Sequence, residues 1–172
     1  MERITELIKH LDDEVEVATG EWVKRLAQIN TTNIKEDIKE VFKEASKSLD
    51  PDSQIVITYL RSSAITESHK FKLAVYQGEP FISDPTYHAL LDLKLLFTEV
   101  PNDLAEKLIK KLSPTYVQIL PSEKEEIRRH FTIKLYQQSY HFFEKILTEI
   151  NDQQLIVYFG EEMCELIELG VD

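Results

Sequence analysis

Apolar residues recur at three- and four-residue steps through the N-terminal stretch, where Ile4, Leu7, Ile8, Leu11, Val15, Ala18, Trp22, Leu26 and Ile29 fall on one stripe. That spacing predicts one continuous amphipathic helix, with Gly20 as its weak point. Asn33 and Glu36 then stand in capping-box spacing, in which each side chain satisfies a free amide at a helix start. Ile34, Ile38, Val41, Phe42 and Ala45 carry this second helix toward a stop at Asp50-Pro51.

The period then shortens. Gln54 to Leu60 reads QIVITYL, apolar at odd and even positions alike, which predicts a central strand buried on both faces. Lys70 to Tyr76 sets Phe71, Leu73 and Val75 against Lys70 and Lys72, and after Gly78, Glu79 and Pro80 the pair Phe81 and Ile82 reads as the return arm of a hairpin. Asp84-Pro85 has the residues of a helix start, so Tyr87 to Phe97 is expected as a leucine-rich helix. A further helix opens at Asn102 with Leu104, Leu108, Ile109 and Leu112 and stops at Ser113-Pro114, and Tyr116 to Leu120 reads as a brief strand.

Ser122 and Glu125 predict a second capping box, opening one long helix through Ile127, Phe131, Leu135, Tyr136, Phe142, Phe143 and Ile146 to Ile150. In the tail, Leu155, Val157, Tyr158, Gly160 and Glu161 repeat the spacing of Leu73, Val75, Tyr76, Gly78 and Glu79. Residues 154–169 are therefore expected as a second hairpin, with Gly160 supplying a positive φ at the turn and Cys164 to Leu169 returning. The expected fold is a single α+β domain over residues 1–172, predominantly helical, with about five amphipathic helices packed on a small antiparallel β-sheet.

Composition narrows the setting. With 172 residues, 42% hydrophobic and 30% charged, the chain has an ordinary globular balance and enough length for one core. Its single cysteine, Cys164, permits no intramolecular disulfide, which fits a reducing compartment. The N-terminal residues lack the apolar run of a signal peptide and no stretch has the length of a membrane span, so the expected location is cytoplasmic, with no membrane partner. Net charge is −11, and Glu144 to Asp172 holds eight acids against one base, Lys145. Such a surface repels phosphate backbones, which disfavours nucleic acid, and suits a protein partner or self-association.

The familiar chemical motifs fail on spacing. Gly20, Gly78, Gly160 and Gly170 include no clustered pair for a phosphate loop or dinucleotide turn. His10, His69, His88, His130 and His141 form no metal-ligand pattern, and no cofactor is expected. The basic residues Lys107, Lys110, Lys111, Lys124, Arg128 and Arg129 sit on amphipathic helices, as solvated faces do.

The remaining candidate is the polar run RSSAITESH, Arg61 to His69, beside the central strand. Arg61, Ser62, Ser63, Thr66 and His69 have the groups to bind an anionic small molecule, since a guanidinium and several hydroxyls match carboxylate or phosphate oxygens. A hydrolase reading would use Ser62 or Ser63 as nucleophile, His69 as base and Glu67 as its orienter, without a G-x-S-x-G elbow. The structural alternative is an inter-strand connection whose hydroxyls satisfy the turn backbone. The expected function is a protein-binding or regulatory module with an acidic surface. A small enzyme or anionic-ligand sensor built on residues 61–69 is the alternative.

Overall fold

The QIVITYL run becomes the middle strand of a five-stranded sheet, because a strand apolar on both sides needs cover on both faces and a partner on both edges. The computed structural model describes residues 2–26, 28–150 and 156–169. In chain order the elements are helices α1 (Glu2–His10), α2 (Asp12–Leu26) and α3 (Thr32–Ser46), strand β1 (Ser53–Tyr59), helix α4 (Arg61–Ile65), and strands β2 (Lys70–Gln77) and β3 (Tyr87–Asp92). A 3-10 turn (Lys94–Phe97), helices α5 (Glu99–Leu112), α6 (Pro121–Gln138) and α7 (Tyr140–Ile150), and strands β4 (Val157–Glu161) and β5 (Leu166–Leu169) complete it. The fold is α+β, predominantly helical, on a small sheet that is mostly antiparallel. Among the described residues no helix is long and apolar enough to cross a membrane.

The chain forms two compact units, residues 1–29 with 94–138 and residues 30–93 with 139–172. The first is helical. Its apolar stripe Leu7, Leu11, Val15, Ala18, Trp22 and Leu26 is buried as the spacing predicts, but the expected single helix breaks at Leu11 and continues unbroken through Gly20. Trp22 is fully buried, donates its indole N–H to the Leu96 carbonyl at 3.0 Å and stacks on Phe97 at 5.4 Å. Phe97 in turn meets the edge of Tyr136 at 4.8 Å, so one aromatic chain fixes the 3-10 turn between α2 and α6.

The second unit carries the sheet, in the order β3-β2-β1-β4-β5. β1 runs antiparallel to β2 and parallel to β4, and the outer pairs β2–β3 and β4–β5 are antiparallel. On one face Tyr59, Phe71, Phe143 and Phe159 cluster with ring centres about 6 Å apart, joining β1, β2 and β4 to α7. The other face holds a smaller core of Val56, Ala74 and Tyr76, packed by Phe81, Tyr158 and Leu166.

Several expectations are corrected by tertiary pairing. Phe81 and Ile82 lie in a turn, and the return arm of the hairpin is β3, where a leucine-rich helix was expected. Tyr87, Ala89 and Leu91 are the more buried positions and His88, Leu90 and Asp92 the exposed ones, an alternation that pairing with β2 rewards over the helix-start residues Asp84-Pro85. Residues 116–120 form no strand. The expected long C-terminal helix is two helices, α6 and α7, interrupted at the fully buried Ser139.

Neither expected capping box forms. α3 opens at Thr32, so Asn33 is already helical. α6 begins at Pro121, the position where a missing amide costs nothing, and Glu123 reaches back to accept the Leu120 N–H at 2.8 Å. In the second hairpin Gly160 is a strand residue, and the positive φ belongs to Met163 at 65°. Gly160 is needed for closeness: a Cβ there would stand 2.8 Å from the Glu165 carbonyl oxygen and 3.0 Å from a Leu166 methyl.

Two stability measurements follow. Gly160→Ala is expected to lose about 2 kcal/mol in urea unfolding, since backbone has to move. Ser122→Ala should stay within about 0.5 kcal/mol of the parent while Glu123→Ala loses about 1 kcal/mol. The reverse order of those two would restore the Ser122 box.

Candidate functional site

Arg61 to His69 leaves β1 as the short helix α4 and turns back into β2. The turn is tight: Glu67 and His69 both adopt left-handed backbone, with φ of 50° and 48°. Internal hydrogen bonds hold it there. The buried Ser63 hydroxyl donates to the Lys70 carbonyl at 3.0 Å and lies 3.1 Å from the Ser68 hydroxyl. The Ser68 N–H donates to the Ser63 carbonyl at 3.1 Å, and the Thr66 hydroxyl donates to the Ser62 carbonyl at 3.0 Å.

The expected site residues therefore separate by environment. Ser63 and His69 are buried, while Arg61, Ser62 and Thr66 are exposed. The His69 carbonyl accepts the Leu93 N–H at 3.1 Å, tying the turn to the end of β3. Arg61 meets an acid of its own chain: its Nε donates to Glu161 Oε1 at 2.6 Å. The Arg61 side chain is 65% exposed and that of Glu161 18%, so the guanidinium reaches from solvent onto a largely covered carboxylate at the start of the β4–β5 turn. Beside it Lys72 pairs with Glu162 at 3.1 Å. The segment can present Arg61 and Ser62 to an anion at the surface, with Glu161 competing for the guanidinium.

A second surface feature of this unit was not singled out by motif. On α3 the side chains sort by type around the helix: Ile34, Ile38, Phe42 and Ala45 are buried, Lys35, Lys39 and Lys43 follow at four-residue steps on one flank, and Asp37, Glu40 and Glu44 occupy the other. The lysine flank has an internal partner. Lys35 and Lys39 reach Glu149 of α7 at 2.5 and 3.3 Å, and the Lys35 hydrogen bond, ahead of burial and the Lys39 bond, holds the Glu149 carboxyl below its usual range. On the acidic flank Glu44 pairs with Lys47, and among the described residues no base lies within ion-pairing distance of Asp37 or Glu40.

That acidic flank borders a groove of about 380 Å³ along β3. Val41, Leu91 and Leu93 give it an apolar floor, Asp37, Glu40 and Glu44 one rim, and Tyr87 and Leu90 the other. Leu90 is 58% exposed. The charge sorting on α3 is readable from the sequence, but the groove exists only because residues 87–92 form a strand. Compared with protein-family models, with curated proteins and with solved structures, the chain matches none.

The two roles considered for residues 61–69 differ in what mutation does. Arg61→Ala is expected to cost less than about 1 kcal/mol in chemical denaturation, because the guanidinium end of its ion pair is solvated. Ser63→Ala should cost about 1 kcal/mol or more, since the Lys70 carbonyl loses a buried donor. A larger loss at Arg61 than at Ser63 would contradict this ordering.

Proposed function

We propose that this chain is a protein-binding module that takes a basic segment of a partner in the groove between α3 and β3. The observation that carries the reading is the sorting of charge on α3, which sets Asp37 and Glu40 beside apolar side chains and apart from the lysines of the same helix. An apolar floor supplies affinity and an acidic rim supplies selection for a cationic partner. The net charge of −11 favours the same choice, since it attracts basic partners and opposes association of two copies. The lone cysteine, exposed, suits a reducing compartment, and we read the module as cytoplasmic.

The anionic-ligand or hydrolase alternative at Arg61, Ser62, Ser63, Thr66 and His69 has less support. Ser63 and Thr66 spend their hydroxyls on the turn, and Arg61 already has a carboxylate.

The test is fluorescence anisotropy with two labelled synthetic peptides, one alternating lysine and valine, the other glutamate and valine. The lysine peptide is expected to bind at low salt and to weaken as salt rises. Glu40→Lys combined with Asp37→Lys should weaken it by about tenfold or more, with the fold intact because the Glu40 and Asp37 side chains are exposed. No binding to the parent, or equal binding of the glutamate peptide, would overturn the reading.

A further inference from the structure

We propose that the partner segment binds as an added β-strand, hydrogen-bonded to the outer edge of β3 through the backbone groups of His88 and Leu90. The inference rests on the groove reading above and specifies how the groove is filled.

The direction of the β3 backbone follows from one bond and the register. Leu93 stands opposite His69 and donates its N–H to the His69 carbonyl. In an antiparallel ladder, opposed pairs alternate between bonded and non-bonded. Leu91 with Phe71 and Ala89 with Leu73 are therefore bonded pairs, and the N–H and C=O groups of Leu90 and His88 point away from β2. β1 confirms the phase on the other side of β2: the Ile55 N–H turns toward β4, to the Ile156 carbonyl, leaving the even-numbered residues of β1 for β2. Among the described residues β3 is the terminal strand of the sheet, so the outward groups of His88 and Leu90 have no neighbouring strand there.

Such an edge is a template for another strand unless something blocks it. Neither proline nor a lysine lies within β3, whose sequence is YHALLD. The groove is lined by Leu90 and by Leu91, residues of opposite parity, so it follows the edge of the strand and does not lie on one face. A strand laid there would send alternate side chains to opposite sides. On the α3 side they would meet Asp37, Glu40 and Val41; on the other they would lie beside Leu90.

The chemistry that fits is an extended segment with lysine or arginine at every second position and β-branched apolar residues between. A second copy of this chain is disfavoured as the occupant, since it would bring the same acids to the same rim.

Amide hydrogen exchange, read by NMR with the alternating lysine–valine peptide, tests the mode of binding. On adding peptide, the His88 and Leu90 amides are expected to slow by about tenfold or more, while Ala89 and Leu91, already bonded to β2, change little. Two N-methylated forms of the peptide supply the complementary result without altering the protein. Methylating the set of alternate amides that faces β3 should weaken binding by about tenfold, and methylating the other set should leave it intact. If the peptide binds and responds to the Asp37 and Glu40 reversals, but His88 and Leu90 exchange is unchanged and both methylated forms bind normally, strand addition is wrong while the groove reading survives. If the unmodified peptide does not bind, both fail together.

Discussion

Everything in the sheet-bearing unit hangs on the two ladders of β1. From Ile55 onward its even-numbered residues bond to β2 and its odd-numbered residues to β4, so its central backbone groups are satisfied on both edges and its apolar side chains can be buried on both faces. The parallel pairing with β4 forces the chain to leave β1, build most of its remaining elements and return, which makes this contact expensive in loop closure and dependent on the rest having formed. The aromatic cluster of Tyr59, Phe71, Phe143 and Phe159 offsets that cost, since it joins both neighbours of β1 to α7.

The same arrangement determines where the unit is open. A sheet closed at its centre has its unsatisfied backbone at its ends, and here the ends differ. β5 is only four residues long, a common way of blunting an edge, whereas β3 has six; each carries one exposed large apolar side chain, Ile167 and Leu90. α3 packs near β3 with its lysines turned to Glu149 and its acids turned to the edge. The acids work in two directions: they oppose pairing of like copies and invite a cationic strand.

Features set by local burial were legible in the sequence, and features set by distant partners were not. Gln54 to Leu60 could be read as a central strand because a run apolar at both parities has few other solutions, and Ile34, Ile38 and Phe42 declare the buried face of α3. β3 was misread because Asp84-Pro85 is a strong local helix signal, while the winning term, pairing with β2, lies outside the segment. The Ser122 box failed against Pro121, whose fixed φ sets the first helical residue two positions earlier than a Ser122 cap would. At Arg61 to His69 the chemical groups were visible, but not that the Ser63 hydroxyl would be used by the Lys70 carbonyl or that Glu161 would meet the guanidinium.

β1 is the closed heart of this sheet and β3 its open edge, a difference that native-state hydrogen exchange of the protein alone reads out. The Ile55, Val56 and Ile57 amides are expected to exchange slowest, by global unfolding, and His88 and Leu90 to exchange orders of magnitude faster than their neighbours Ala89 and Leu91. His88 and Leu90 protected to the level of β1 would mean that the edge is already covered, and would contradict that difference.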